Sequence, residues 1–252
     1  MVGDQRPLEV KIAGDPVYRI ARAPDPWTWP EWAYANSTDG TFDNRWDDPE
    51  GNYRVLYASS QRAGAFVETL ARYRIDLQLL AELDQIAEDD PADAPIRAGT
   101  VPRDWAKNRL IGKAVLKGDF SDVTHPRSLT HLRKVLAQWL VARGLSDLDA
   151  ATVRTVDRAV TQRMSRVIYE CSVDGRRAYD GVYYRSRLGD MYENWGVFDT
   201  EVTGVTSPLS AVDHGAPIHD GDADLAQALN YLELQLESST ETVPARAATR
   251  QR

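Results

Sequence analysis

Residues 53–74 read YRVLYASSQRAGAFVETLARYR and decide the fold, because a strand pattern is followed there at once by a helix pattern. From Tyr53 to Ala58 the side chains alternate between two faces, which predicts a short strand. From Gln61 to about Arg74 apolar residues recur at helical spacing, which predicts an amphipathic helix with Ser59-Ser60 as its N-cap. Glu68 falls at the flank of the apolar stripe. The stretch therefore predicts a strand–helix unit that carries a carboxylate beside its apolar face.

The same two periodicities recur along the rest of the chain. Further strands are predicted at Pro16–Ile20, Ile96–Val101, Lys113–Leu116, Gly181–Arg185, Trp195–Asp199 and Glu201–Val205. Helices are predicted at Asp76–Ala87, Ser128–Arg143, Ala151–Cys171 and Asp222–Glu237, with an acidic connector at Glu88–Pro95. The leucine stripes of these helices are interpreted as core. Strand groups separated by helices indicate a single α+β (mixed α/β) domain.

The charge balance excludes one class of function. The 252 residues include 30 basic and 38 acidic side chains, for a formal charge of −8 and a pI near 5.1. Such a chain lacks the overall basic footprint that nucleic acid requires, so direct nucleic-acid binding is not expected. Twenty-five of the basic residues are arginines, the side chain best suited to forked contacts with anions. Genome composition explains this excess most simply, although a local positive pocket is compatible with it.

Several common kinds of site are missing from the sequence. The single cysteine, Cys171, excludes an internal disulfide framework and is expected to be a buried small hydrophobe. The four histidines lack companion ligands at metal spacing, so no metal site is expected. Phosphate-binding glycine loops and nucleophile elbows are also absent. Because no apolar run has the length of a signal peptide or a membrane span, we expect a cytoplasmic protein that is not in the membrane.

Polar residues attached to the two strand groups are the remaining candidates for a site. They are Arg45, Tyr57, Glu68, Ser186 and Asn194. Taken alone, each has a purely structural explanation. Arg45 could pair with a neighbouring aspartate, and Tyr57 could be a core aromatic. Glu68 and Ser186 could be an exposed helix residue and a turn residue.

The segments around these residues resemble the RES domain family. They are Asn44–Pro49, Tyr53–Ser60 continuing to Ala65–Leu70, Val160–Gln162, Tyr179–Arg187 and Asn194–Phe198. The resemblance runs from about Tyr18 to Phe198, which is most of the chain. The family is named for an arginine, a glutamate and a serine in this order, and these fall on Arg45, Glu68 and Ser186.

The resemblance implies an ADP-ribosyltransferase-like split β-sheet core surrounded by helices. It also implies an enzyme that destroys NAD⁺, cleaving the nicotinamide–ribose bond by phosphorolysis or hydrolysis, as toxins of RES-Xre toxin–antitoxin pairs do. NAD⁺ is then the substrate, inorganic phosphate the co-substrate, and no cofactor or metal is needed. The implied protein partner is a small Xre-type DNA-binding antitoxin. The oligomeric state stays open, and a homo-oligomer is one possibility.

The family's chemistry gives the matched residues roles. Loss of nicotinamide leaves positive charge on the ribose, and Glu68 would stabilise that charge as the catalytic carboxylate. Arg45 would clamp the diphosphate or the attacking phosphate through its planar fork. Ser186 and Asn194 would bond ribose or phosphate oxygens. Tyr57 would orient the nicotinamide ring.

Other arginines are secondary candidates for the same pocket. Arg19 resembles a family position near the start of the domain and ranks behind Arg45 for anion contact. Arg185 and Arg187 flank Ser186 and could add to substrate binding, with surface charge as the equally simple explanation.

The resemblance also divides the chain. Residues 1–16 form an N-terminal segment, and 17–206 form the catalytic domain with a helical insertion at about 128–171. Residues 207–237 form a C-terminal extension with a helix, and 238–252 form a disordered tail. Contacts of the insertion and the extension with a partner do not follow from the family.

Two alternative functions remain open. Transfer of ADP-ribose to a macromolecule begins with the same bond cleavage and differs only in the acceptor. A non-catalytic nucleotide-binding module would use the tryptophan-rich segment Trp27–Trp32 to stack on bases. The acidic charge disfavours the second alternative, because single-strand grooves need a positive track.

Overall fold

The structure is a computed structural model that describes residues 6–13, 15–75, 99–155, 157–200 and 207–237. Several predicted features lie outside these residues. They are the helix Asp76–Ala87, the connector Glu88–Pro95, the strand Glu201–Val205 and the tail 238–252.

In the described residues a single curled sheet forms the centre of the fold. Its strand order is β1-β6-β9-β10-β3-β2-β5-β11, and β12 also pairs with β5. The strands are β1 Val10–Ala13, β2 Pro16–Arg22, β3 Val55–Ser59, β4 Thr100–Val101, β5 Arg109–Leu116, β6 Gly118–Asp122, β7 Ser172–Val173, β8 Arg176–Arg177, β9 Gly181–Ser186, β10 Gly189–Phe198, β11 Leu209–Ala211, β12 Ala216–Pro217 and β13 Gln235–Leu236. β6 and β9 run parallel, and the other neighbours in this sheet are antiparallel.

Helices cover the sheet, which confirms the predicted α+β class. They are α1 Arg62–Leu70, α2 Pro126–Val135, α3 Ala137–Ala142, α4 Ala150–Val153, α5 Arg158–Glu170 and α6 Ala223–Leu232, with 3₁₀ turns at Trp32–Tyr34, Ala71–Tyr73 and Arg103–Trp105. None of the described helices is long and apolar enough to cross a bilayer.

The predicted strand–helix unit is present as β3 and α1. The helix starts at Arg62 because Gln61 is its N-cap, and no side chain caps it. The predicted Ser59-Ser60 cap is therefore wrong. Ser59 Oγ donates instead to the Glu193 carbonyl at 3.1 Å, and Ser60 Oγ accepts from Trp195 Nε1 at 2.8 Å. The two hydroxyls satisfy the neighbouring strand rather than the helix end.

Two predicted long helices are each divided. The helix over Ser128–Arg143 is interrupted at Leu136, whose ψ of 3° separates α2 from α3, while the leucine stripe stays buried on both sides. The helix over Ala151–Cys171 is also two helices, because Asp157 caps a new start. Its carboxylate accepts from the Ala159 amide at 3.0 Å. Aspartate is a preferred N-cap, and this signal was in the sequence.

The predicted C-terminal helix Asp222–Glu237 is too long. It ends at Leu232, because Glu233 adopts a left-handed backbone with φ 58°. The chain then forms β13, which pairs in parallel with β4. The helix start at Asp222 is as predicted, since this residue is the N-cap.

Three groups of buried apolar side chains hold the layers together. One joins helices α2 to α5 to the sheet and includes Trp46, Tyr53, Leu132 and Phe198. Another joins α1 and α6 to the sheet. The third lies under the tryptophan-rich segment, where Trp27 and Trp29 pack against the sheet. Each large side chain buried in this way stabilises the fold by about 1.5–3 kcal/mol.

The structure shows the surroundings of Cys171 and of His125. Cys171 is half-buried against the first apolar group, and burial raises the pKa of its thiol. His125 caps α2, because its Nδ1 accepts from the Arg127 amide at 3.2 Å. In the described part of the chain, no three metal-ligating side chains come together.

Candidate active site

A pocket of about 490 Å³ lies where the apolar group of α1 meets the apolar group of α4 and α5. Its floor comes from the neighbouring strands β2 and β3 and from β9, which is separated from β3 by β10. A volume in this range is typical of small-molecule and cofactor sites. The fold therefore places a cavity of substrate size over the middle of the sheet.

Among the described residues, the pocket wall carries seven arginines and one carboxylate. They are Arg19, Arg45, Arg72, Arg154, Arg158, Arg185, Arg187 and Glu68. The chain as a whole has a charge of −8, so this concentration of positive charge runs against its composition. Guanidinium groups bind phosphate and carboxylate groups through forked hydrogen bonds. The pocket is thus suited to an anionic ligand.

Glu68 projects from the exposed flank of α1, where its spacing in the apolar stripe predicts it. Its Oε1 accepts a hydrogen bond from Asn194 Nδ2 at 2.8 Å. Asn194 is only 2% exposed and lies on β10, opposite Tyr184 of β9 and Ser59 of β3. A buried amide on the sheet therefore holds an exposed carboxylate on the helix.

Arg45 bonds to the backbone and not to a neighbouring aspartate, so its purely structural explanation as an ion pair is wrong. Its Nη1 donates to the Val153 carbonyl at 3.0 Å, and its Nη2 donates to the Thr155 carbonyl at 2.8 Å. Burial lowers the pKa of Arg45, and the nearby charge of Arg187 lowers it further. Two bonds to the backbone fix the guanidinium plane and leave other N–H groups for a ligand.

Arg187 belongs to the two-residue turn between β9 and β10. In the described part of the chain, no carboxylate lies within ion-pair distance of it. Three other arginines of the wall are paired: Arg154 with Asp190 at 2.8 Å, Arg158 with Asp43 at 2.8 Å and Arg185 with Glu193 at 3.7 Å. Arg187 and Arg45 line the same pocket as like charges that repel each other, and a bound anion would offset this repulsion.

Arg19 and Tyr57 lie side by side in the floor. Arg19 donates to the carbonyls of Pro26 and Tyr57, each at 2.8 Å, and burial lowers its pKa to about 10. The Tyr57 hydroxyl donates to Asp47 at 2.8 Å and accepts from the Trp46 amide at 2.9 Å. Burial raises the pKa of Tyr57 far above its usual value. Because this hydroxyl is engaged, Tyr57 can offer a ligand only its ring.

Ser186 is 2% exposed and is not part of the pocket wall. Its Oγ accepts from the Leu188 amide at 3.0 Å, so it closes the turn that carries Arg187. The structure thus brings Arg19, Arg45, Tyr57, Glu68 and Arg187 into one pocket. Asn194 and Ser186 lie outside the wall, and each bonds to a residue of it.

Tyr184 is a residue of the wall to which the sequence analysis gave no role. Burial raises its pKa well above the usual value, the charge of Glu68 raises it further, and Arg45 opposes the change. Tyr184 thus lines the same pocket as Glu68 and Arg45. Tyr184 lies two residues before Ser186, on the same face of the same strand, and this spacing was the available signal. No local pattern marks four other residues of the wall: Asn44 in a loop, Arg72 in a 3₁₀ turn, Arg154 at the end of α4 and Arg158 at the start of α5.

The RES domain model matches residues 16–218, which is more than half of the chain. No curated protein matches the sequence. Among solved structures, the crystal structure of the M. tuberculosis MbcT-MbcA toxin-antitoxin complex is similar, with a TM-score of 0.48 and 12% identity. That similarity covers 89% of this chain and 91% of the other.

Proposed function

The chain belongs to the RES domain family, and on that premise we propose that it degrades NAD⁺ by cleaving the bond between nicotinamide and ribose. The observation that carries the proposal is Glu68, held by Asn194 on the wall of a pocket whose other charged lining residues, among those described, are all arginines. A dinucleotide brings a diphosphate for the arginines and a cationic glycosidic bond for the carboxylate. The proposed substrate thus has a group for the arginines and a group for the carboxylate of the pocket.

Glu68 acts on the ribose. When the glycosidic bond breaks, nicotinamide leaves as a neutral molecule with both bonding electrons, and positive charge remains on the ribose. A carboxylate held near that carbon stabilises the charge more in the transition state than in the ground state, which is the condition for catalysis. The bond from Asn194 fixes the direction of the carboxylate before substrate arrives. Tyr184, which lines the same pocket, offers its hydroxyl to the same sugar.

Arg45 and Arg187 act on the phosphates. Their mutual repulsion is offset when a diphosphate or an inorganic phosphate lies between them. In phosphorolysis, a phosphate oxygen forms a bond to the ribose carbon as nicotinamide departs, and the product is ADP-ribose 1''-phosphate. An arginine-rich wall favours phosphate over water as the attacking group. We therefore propose phosphorolysis in preference to hydrolysis.

Arg19 and Tyr57 form the floor beneath this chemistry. Arg19 is tied to two backbone carbonyls, so it contributes fixed charge rather than a mobile clamp. Tyr57 offers its ring to nicotinamide. Ser186 acts through the turn that it closes. These roles refine those implied by the family resemblance for the same positions.

The biological role we propose is that of a toxin whose partner is a small Xre-type DNA-binding antitoxin. Depletion of NAD⁺ stops growth, and a partner that covers the pocket would prevent it. Expression of the wild type should arrest growth and lower cellular NAD⁺, while Glu68→Gln should do neither. Growth arrest by both proteins would contradict the role assigned to NAD⁺.

Product identification tests the chemistry. Purified protein is incubated with NAD⁺, with and without inorganic phosphate, and the ribose product is identified. We expect nicotinamide together with ADP-ribose 1''-phosphate, formed only when phosphate is present. Free ADP-ribose in both reactions would mean hydrolysis, and label on a macromolecule would mean transfer. Absence of nicotinamide release would overturn the proposed function.

A further inference from the structure

Helix α6 contacts two different walls of the pocket. It begins at Ala223, beyond the residues 16–218 that match the family. Along one side it packs on α1, the helix that carries Glu68. Leu225, Ala228 and Leu232 of α6 share an apolar group with Phe66, Val67 and Leu70 of α1. A helix outside the matched region thus supports the helix with the proposed catalytic carboxylate.

An ion pair fixes the start of α6 against α1. Arg62 donates to Asp222 through Nη1 at 2.7 Å and through Nη2 at 2.5 Å. Its Nη1 also lies 2.6 Å from Asp224 Oδ2. Forked contacts of this kind fix orientation as well as distance. The first turns of the two helices are therefore locked together.

Tyr231, near the other end of α6, reaches the second wall. Its hydroxyl donates to the carbonyl of Leu188, the residue after Arg187 in the turn between β9 and β10. The Tyr231 ring packs edge-on against Tyr192, with centroids 5.6 Å apart. Ser186 Oγ holds the amide of the same Leu188. The turn that presents Arg187 is thus tied on one side by Ser186 and on the other by Tyr231.

Gly189 shows how closely this contact is packed. A Cβ added there would lie 2.5 Å from the Tyr231 hydroxyl and 3.3 Å from its Cζ. The next nearest atom, a Tyr192 ring carbon, would be 3.5 Å away, which is ordinary contact. A methyl group at position 189 is therefore opposed mainly by the Tyr231 hydroxyl.

We propose that Tyr231 is a positioning residue, an inference that rests on the proposed function. Tyr231 holds the Arg187-Leu188 turn against the pocket, so that Arg187 contacts the anionic substrate. The bond to Leu188 connects the C-terminal extension to the turn that carries Arg187. Tyr231 is 40% exposed and lines no part of the pocket, so it acts through the turn and not on the substrate.

The kinetic consequence is specific. Without the hydroxyl, the turn gains freedom and Arg187 spends less time in its binding position. A neutral hydrogen bond of this kind corresponds to about a three- to tenfold change in an equilibrium constant. Arg187→Ala should raise the KM for one of the two substrates, NAD⁺ or phosphate. Tyr231→Phe should raise the KM for that same substrate about three- to tenfold. The kcat should change less than twofold, because Glu68 and Asn194 are untouched.

The experiment compares Tyr231→Phe with Tyr34→Phe. Tyr34 is 72% exposed and its hydroxyl has no hydrogen-bond partner among the described residues, so it is a matched control. We expect a raised KM for Tyr231→Phe only. A fall in kcat with unchanged KM, or a lower melting temperature with unchanged kinetics, would show a merely structural role and overturn the proposal.

Gly189→Ala supplies a second test from the opposite side of the contact. The added methyl displaces the Tyr231 hydroxyl, so this variant should reproduce the raised KM. In the double variant Gly189→Ala/Tyr231→Phe the displaced atom is already absent, and the KM should be no higher than in either single variant. If the increase in KM in the double variant equals the product of the two single increases, the two substitutions act independently, which would contradict a shared mechanism.

Binding measurements separate this proposal from the proposed function. Wild type, Tyr231→Phe and Tyr34→Phe are titrated with ADP-ribose and with inorganic phosphate. If the wild type binds either probe but releases no nicotinamide, the proposed function fails, and a weaker affinity in Tyr231→Phe alone still supports the positioning role. Equal affinities in all three proteins overturn the positioning role, whether or not the wild type is active. Absence of binding and of turnover overturns both.

Discussion

Asn194 donates its side-chain amide to Glu68 Oε1 across 2.8 Å, and this bond joins the buried strand β10 to the exposed flank of α1. The donor is 2% exposed, so sheet packing determines its position. The acceptor is on the helix surface, where an unrestrained glutamate samples several rotamers. The sheet thereby sets the direction of the one carboxylate among the described residues of the pocket wall.

Replacing Asn194 with leucine keeps the volume of the side chain and removes the donor. A hydrogen bond to a charged group contributes about 1.5–3 kcal/mol, so kcat for nicotinamide release should fall about 10- to 100-fold. KM for NAD⁺ should change little, because the arginines remain. Steady-state kinetics measure both constants. Asn52→Leu, at an exposed position, is the control and should keep wild-type kinetics.

Arg187→Ala should weaken the binding of substrate without lowering the stability of the fold. Loss of a charged contact weakens substrate binding by about 10- to 100-fold, seen as a raised KM. Stability should hold or rise slightly, because the variant removes a like charge near Arg45. Arg176→Ala is the matched control, since Arg176 is an exposed arginine outside the pocket wall. A destabilised Arg187→Ala protein with unchanged KM would contradict the anion-site assignment.

Asp222 gives a prediction for pH and stability. The pKa of its carboxyl is lowered, mainly by the hydrogen bond from Arg62 and also by the amides of Leu225 and Asp224 that it caps. A depressed carboxyl pKa adds stability above the unfolded value of about 3.9, and that stability is lost as the pH falls through the folded pKa.

Asp222→Ala should therefore lower stability by about 1–3 kcal/mol at pH 7. The difference in melting temperature from wild type should stay constant between about pH 7 and 5 and narrow below about pH 4. Thermal unfolding across this range measures it. Asp220→Ala, at the exposed position two residues earlier, should show little difference at any pH. A gap that widens in acid would reverse the assigned sign.

Arg54 and Asp199 form a buried ion pair, with Nε 2.6 Å from Oδ2 and the Asp199 side chain fully buried. The Arg54 guanidinium also lies 5.8 Å from the Trp29 ring and 5.6 Å from the Trp32 ring. Arg54→Met removes the positive partner of the buried Asp199 carboxylate. The free energy of unfolding should therefore fall by about 3–5 kcal/mol. Tryptophan fluorescence should change, because the segment Trp27–Trp32 loses its contact with the Arg54 guanidinium.

The surface pair of Arg133 and Asp147 is the control for that measurement. Its Nε–Oδ1 distance is 2.5 Å, almost the same as in the buried pair, but both side chains are more than half exposed. Arg133→Met should therefore alter denaturant unfolding far less than Arg54→Met. Equal effects would show that burial does not determine the strength of the Arg54 pair.

Local pattern was sufficient for the elements around the site. The alternation at Tyr53–Ala58 and the stripe of the following helix predicted β3, α1 and the exposed flank of Glu68. Where capping geometry or backbone conformation determined an element, the pattern failed. Asp157 starts a new helix inside a continuous apolar stripe, and the left-handed Glu233 ends α6 early. Periodicity reports the buried face and not the backbone that interrupts it.

The site was predictable only in part, for a similar reason. The family resemblance selected Glu68 and Arg45, but their partners come from distant parts of the chain. Asn194 lies 126 residues from Glu68, and Arg45 bonds to carbonyls more than 100 residues away. The place of Tyr184 in the pocket wall depends on the register of β9 and β10. Such contacts arise from tertiary packing, and no local pattern encodes them.

The central claim is that Glu68 drives cleavage of NAD⁺, and nicotinamide release by wild type and Glu68→Gln tests it most directly. The wild type should release nicotinamide, and Glu68→Gln should do so at least about 100-fold more slowly, because the charge that stabilises the transition state is gone. The melting temperature should be unchanged, since Glu68 is exposed, and Glu31→Gln at another exposed position should stay fully active. Release by Glu68→Gln at the wild-type rate, or no release by the wild type, would contradict the account.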